Sequence, residues 1–163
     1  MSTLWLAATL AWAAPEQIPE TPSDLTGRTA PPIEARLLDG GTFSLEAHRG
    51  RPVVLSFWAS WCGPCRFELP ALDAFVDAHP EITAVAVNVD RDPEDAKRFL
   101  SRIDVDLPVV LDPEARIMGS WQVASMPTMF VVDPHGTVQL VKVGFNREKG
   151  LVEVERALAE VRR

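Results

Sequence analysis

The chain has 163 residues, 47% hydrophobic and 24% charged, a globular composition with enough length for one domain and its core. Its formal net charge of −7 argues against a nucleic-acid partner, because phosphate binding needs a basic face and none stands out. The only two cysteines are Cys62 and Cys65. A bridge between them closes too short a loop to restrain the unfolded chain much, so they are there for chemistry rather than stapling.

Leu4 to Ala14 is almost wholly apolar, and Ala11-Trp12-Ala13 forms a small-x-small cleavage site before Ala14-Pro15. Residues 1–13 therefore read as a signal peptide, and the protein as periplasmic or otherwise exported. The run is too short to span a bilayer, which takes about 20 apolar residues. No Lys or Arg precedes it, the first basic residue being Arg28, and a disordered apolar N-terminus is the alternative. Residues 14–32, rich in Pro, Glu, Thr and Ser, read as a linker, and residues 33–163 as the folded domain.

Asp39-Gly40-Gly41 between apolar stretches is a hairpin signal. Val53 to Ala59 is a short continuous apolar run, which suits a strand buried on both faces of a parallel sheet. A helix is expected from about Cys62, with Phe67, Leu69, Leu72, Phe75 and Val76 as its apolar stripe and Pro70 kinking it. Ile82 to Val89 is a second central strand. A helix from about Pro93 follows, with Glu94 and Asp95 favouring the positive end of its dipole. Val109 to Leu111 is a short strand, Glu114 to Trp121 a brief helix, and Thr128 to Val132 the next strand. Asp133-Pro134-His135-Gly136 turns the chain into Thr137 to Val143 as an antiparallel partner. Asn146 can cap a last helix through Leu151, Val154, Leu158 and Val161. This order implies an α/β sandwich with a mixed sheet.

A buried strand that turns once into a helix at Cys62 puts that sulfur at a helix N-terminus. Free N–H groups and the dipole favour the nucleophilic thiolate there. Cys65 lies one turn deeper on the same face, where it can attack a mixed disulfide formed at Cys62. Pro64 falls in the first turn, where its missing N–H costs nothing, and Gly63 leaves room for a partner's backbone. Zinc also uses the C-x-x-C spacing. It needs four ligands, however, and only His48, His79 and His135 remain, scattered over three segments, so no metal is expected.

The run Phe57-Trp58-Ala59-Ser60-Trp61-Cys62-Gly63-Pro64-Cys65 resembles the active-site strand and turn of thioredoxins. Three further stretches are Cys65-Arg66-Phe67-Glu68-Leu69-Pro70, Val87-Asn88-Val89-Asp90 and Met126-Pro127-Thr128. With the hairpin opening, they make residues 30–160 similar to the exported thioredoxin-like group typified by TlpA and ResA. The resemblance implies a thioredoxin fold, a mixed central sheet flanked by helices, with an N-terminal hairpin extension. It also implies a cis peptide bond at Met126–Pro127 facing the redox pair. Without an N–H, Pro127 leaves the preceding backbone free to pair with an extended substrate segment. Thioredoxins keep a buried aspartate on the strand entering the site; Ser56 stands there, and a hydroxyl cannot be the proton acceptor. In the TlpA/ResA group the glutamate three residues after the second cysteine is implicated instead, and Glu68 matches it. Cys65 and Glu68 are i and i+3 on one helix face. A partly buried carboxylate beside the cysteines would have a raised pKa suited to proton traffic near neutrality. The alternative is a solvated helix acid, with Asp90 or Asp92 as the next candidates.

The expected function is a protein-disulfide reductase outside the cytoplasm, in cytochrome c maturation or envelope thiol maintenance. Cys62 attacks, Cys65 resolves, and Glu68 assists. Trp61, Gly63, Pro64, Met126 and Pro127 meet the substrate. A membrane partner supplies electrons, the redox pair is the only cofactor, and the chain is expected to be a monomer. Trp58, Trp121 and the histidines are expected in packing or surface roles. The rivals are a thiol peroxidase on the same fold and a redox-inactive binding module. Peroxidases of this kind want a threonine three residues before the reactive cysteine, where this chain has Ala59, and intact Cys62, Cys65 and Pro127 oppose the binding module.

Overall fold

The computed structural model describes residues 23–161; the signal-peptide reading of residues 1–13 falls outside them. Strand β1 (Glu34–Arg36) and β2 (Thr42–Ser44) form the antiparallel hairpin. The intervening turn holds Gly40 and Gly41 at φ of +101° and +82°, values that favour glycine. A second sheet has the order β5-β4-β3-β6-β7, with β3 (Val53–Trp58), β4 (Thr83–Asn88), β5 (Val109–Leu111), β6 (Thr128–Val132) and β7 (Val138–Val143). The β5-β4-β3 pairs are parallel, while β6 runs antiparallel to both β3 and β7. This is the mixed sheet expected. Every residue of β3 is buried, which explains its unbroken apolar run.

Alternation along the strands divides the core in two. Val54, Trp58, Ala86, Met129 and Val131 face α1 (Cys65–Asp77), α2 (Pro93–Leu100) and α4 (Val152–Val161) through Leu69, Leu72, Phe99, Val154 and Leu158. Leu55, Phe57, Val85, Val87 and Phe130 face the hairpin's Phe43, with Met118 of α3 (Arg116–Ser120) and the adjoining Trp121. Each such aliphatic or aromatic side chain stabilises the fold by roughly 1.5–3 kcal/mol. Trp58 and Trp121 are both fully buried, as expected of packing residues. Among the described residues no helix is long and apolar enough to cross a membrane.

Four local expectations need correction. The helix after the cysteines begins at Cys65, not Cys62, and Pro64 is its N-cap. Its buried stripe is accordingly Cys65, Glu68, Leu69 and Leu72, the i, i+3, i+4, i+7 face of a helix, while Phe67 is 41% exposed under the Arg147 guanidinium. Asn146 caps a turn, its side-chain oxygen accepting from the N–H groups of Glu148 and Lys149, and α4 starts later, at Val152. The described part of the presumed linker, residues 23–32, belongs to the folded unit. Gly27 and Ala30 donate to the carbonyls of Val138 and Gly136, Thr29 bridges Thr137, and Leu25 and Ala30 are buried.

Candidate active site

Parallel β3 and β4 end side by side, and the turns that leave them are bonded to each other. Val89 N–H donates to the Trp58 carbonyl at 3.1 Å. The Asp90 carboxylate accepts from the backbone N–H of Ser60 at 2.9 Å, from the Ser60 hydroxyl at 2.9 Å and from the Asn88 amide at 2.8 Å. Asp90 thus holds the turn that presents Trp61 and Cys62. Its oxygens are committed to that task, and Asp92 caps α2 by accepting from Glu94 N–H at 3.0 Å. Both carboxylates are thus engaged as hydrogen-bond acceptors that shape these turns.

Cys62 and Cys65 form a disulfide with their Cα atoms 5.5 Å apart. Cys65 is fully enclosed, whereas Cys62 retains 5% exposure, so Cys62 is the sulfur nearer solvent. Around it the surface is open. Trp61 is 69% exposed, Gly63 and Pro64 are exposed, and a methyl group added at Gly63 would meet nothing within 4 Å. Trp61 shares a groove of about 710 Å³ with Met118, Met126 and Asp90. The Met126–Pro127 peptide bond is cis, as the resemblance implied, and Pro127 is buried. Its carbonyl accepts from Gly144 N–H at 2.7 Å, which ties this loop to the end of β7.

Glu68 lies on the inward stripe of α1, one turn beyond Cys65, and is fully buried. The Ser56 hydroxyl donates to its Oε2 at 2.9 Å, and Oε1 has no hydrogen-bond partner. Burial pushes the carboxyl from its ordinary 4.5 up to about 7; the Ser56 hydrogen bond and the charge of Lys142 act against that rise. Glu68 is therefore no solvated helix acid. Sequence reasoning set Ser56 aside because it cannot accept a proton. Its role is instead to donate a hydrogen bond to the group that can. Lys142, buried on β7, was missed altogether; the only signal was a lysine in the mostly apolar Val138 to Val143 run, where Gln139 is the other polar residue.

The histidines stand apart from this cluster. His48 bonds to the Ser44 carbonyl and His79 to that of Phe75, each at 2.8 Å. Among the described residues, no group of three or more His, Cys, Asp or Glu side chains is placed to hold a metal ion.

The AhpC/TSA family profile matches residues 26–141. Thioredoxin-like protein YneN of Bacillus subtilis is 32% identical over 136 residues, which cover 81% of this chain and 78% of the relative. The thiol-disulfide oxidoreductase ResA of Geobacillus kaustophilus is 28% identical over 138 residues, 83% of this chain and 78% of that protein. A solved structure from Chlorobium tepidum, named as the thiol:disulfide interchange protein DsbE, superposes with a TM-score of 0.78 at 32% identity. It covers 83% of this chain and 96% of its own.

Proposed function

Because the chain belongs to the AhpC/TSA family and has the thioredoxin-like fold, we propose that it is a thiol–disulfide oxidoreductase that reduces disulfides of other proteins outside the cytoplasm. The observation that carries this reading is a disulfide at the open end of the central strand, backed by a buried carboxylate whose pKa lies near 7. The names of ResA and DsbE support the thiol–disulfide chemistry.

In the reduced protein the Cys62 thiolate attacks one sulfur of a substrate disulfide. An S–S bond forms between Cys62 and the substrate, and the other substrate sulfur leaves as a thiolate that takes up a proton. Cys65 then passes its proton to Glu68 and attacks the Cys62 sulfur. The intramolecular disulfide forms, and the second substrate thiol is released. Two electrons have moved to the substrate, leaving the disulfide form described above. A dithiol donor on the same side of the membrane must return them, and a membrane-held one fits an exported protein. Trp61, Gly63, Pro64, Met126 and Pro127 receive the substrate segment, and the protein works as a monomer with no cofactor beyond the cysteine pair. Export rests on the apolar run of Leu4 to Ala14, and cytochrome c maturation or envelope thiol maintenance are the processes such a reductase suits. The peroxidase alternative is weaker because buried Ala59 offers no hydroxyl three residues before Cys62.

Trapping tests the assignment. Cys65→Ser should accumulate mixed disulfides with a protein substrate such as insulin, and Cys62→Ser should not. Trapping by Cys62→Ser alone would reverse the roles of the cysteines. Efficient peroxide consumption without insulin reduction would replace the reductase reading with the peroxidase one.

A further inference from the structure

The register of the sheet places one charged side chain where the redox site can feel it. Ser56 on β3 lies opposite Met129 on β6, and Met129 lies opposite Lys142 on β7. Residues in register across a sheet point to the same face. Ala86, which faces Ser56 from β4, completes the row. This is the face covered by α1 and α4, so Lys142 and the hydroxyl that holds Glu68 share one side of the sheet, two strand spacings or about 10 Å apart at the backbone. Lys142 is buried, and among the described residues its ammonium donates to the Gly144 carbonyl alone, at 3.1 Å. Gly144 also ties the cis-proline loop through its N–H. Opposite stands a fully buried carboxylate with one oxygen unpartnered.

Among the described residues, no other buried charge lies on that face. From β4 and β6 the facing side chains are Ala84, Ala86, Met129 and Val131; from α2 they are Ala96 and Phe99, and from α4 Val154 and Leu158, with Leu151 just before that helix. The acids and bases of α4, namely Glu153, Glu155, Arg156 and Glu160, are exposed, as are Lys97 and Arg98 of α2, while Asp95 of α2 lines the groove beside Trp61. On α1 itself Arg66 is exposed and Asp73 accepts from the Asp106 N–H. Glu68 thus has Cys65 one turn back, accepts from the neutral Ser56 hydroxyl, and shares this side of the sheet with Lys142, whose charge acts on it.

We propose that Lys142 is a positioning residue of the redox reaction, its buried ammonium holding Glu68 as the carboxylate that accepts the Cys65 proton. The inference rests on the thiol–disulfide reading above and extends it. The proton passes from the Cys65 thiol to Glu68 and on to solvent or the leaving substrate thiolate. Removing a positive charge makes a carboxylate harder to form, so the Glu68 carboxyl should titrate higher without Lys142, by roughly one pH unit. Starting from about 7, such a move lowers the carboxylate fraction at neutral pH about five-fold, and the resolving step should slow in proportion.

The test uses the full chain with Lys142→Gln, which is neutral yet can still donate to the Gly144 carbonyl, and Lys142→Arg, which keeps the charge. Lys142→Met, neutral and without a donor, separates charge from hydrogen bonding. Glu68 is followed by the ¹³Cδ shift of its carboxyl in the disulfide form, and insulin reduction is measured against pH. Support would be an upward move of the Glu68 transition in both neutral variants. Turnover should then fall about five-fold near neutrality and recover at higher pH, with Lys142→Arg restoring both. An unmoved Glu68 transition in the neutral variants overturns the proposal. So does an equal loss of turnover at every pH, or a further loss when Lys142→Gln is added to Glu68→Gln. Absence of insulin reduction in the wild type would overturn the reductase reading instead, and the Glu68 titration would still decide the role of Lys142.

Discussion

Glu68→Gln should make the disulfide form more stable above neutral pH and leave it nearly unchanged in acid. The carboxyl sits at about 7 in the fold against an ordinary 4.5, so between those values the folded state binds more protons than the unfolded chain. A raised carboxyl therefore imposes no penalty below about pH 4, and stability is lost as pH rises through 7. At about 1.4 kcal/mol per pH unit, the full penalty for carrying the charged form is about 3 kcal/mol. Solvent screening does not reduce it, because the side chain is fully buried. The glutamine has the same shape and can still accept from the Ser56 hydroxyl, and any constant cost of its amide cancels when two pH values are compared. Asp73 and Asp112 are also raised, each chiefly by burial, but both remain in wild type and variant alike. Urea unfolding of the two oxidised proteins should show the stability gap moving in favour of Glu68→Gln by roughly 2.5 kcal/mol between about pH 5 and pH 8. Parallel stability curves would refute the reasoning, since they would mean that Glu68 titrates in the fold as it does in water. The same substitution should slow resolution by about 10²–10⁴-fold, so stability and activity would change in opposite directions at pH 8.

Asp90→Ala strands the Ser60 N–H and the Asn88 amide in a largely enclosed turn and should cost about 2–4 kcal/mol in urea unfolding at neutral pH; a loss below about 0.5 kcal/mol would show that the turn holds itself. Protein recovered from the native host should begin at or near Ala14 on N-terminal sequencing, and an intact Met1 or Ser2 in a cytosolic fraction would sink the export proposal.

By itself the sequence determined the order and kind of the elements and the redox pair. Those features are written in short-range signals. The runs from Val53, Ile82, Val109 and Thr128 are apolar and bounded by turn residues, and the observed strands fall within them. A C-x-x-C after a buried strand has few other uses, and Met126-Pro127-Thr128 is recognisable as a motif. Tertiary structure decided what surrounds the pair. Phe67 was assigned to the core because its side chain is apolar, yet the helix phase set by a start at Cys65 turns it outward and turns Glu68 in. The hairpin was legible from Asp39-Gly40-Gly41, but the attachment of residues 27–30 to the far edge of the sheet was not. Backbone bonds to Gly136 and Val138 make that attachment and leave no side-chain pattern. Ser56 and Glu68 come from consecutive elements twelve residues apart, but Lys142 lies far along the chain on β7. Only the strand order β3-β6-β7, and a register in which a one-residue slip would turn Ser56 or Lys142 to the opposite face, bring them to one side of the sheet. Whether a glutamate is a solvated acid or a proton carrier near neutrality depends on the desolvation and charges that this packing creates, and those arise only when the layers close.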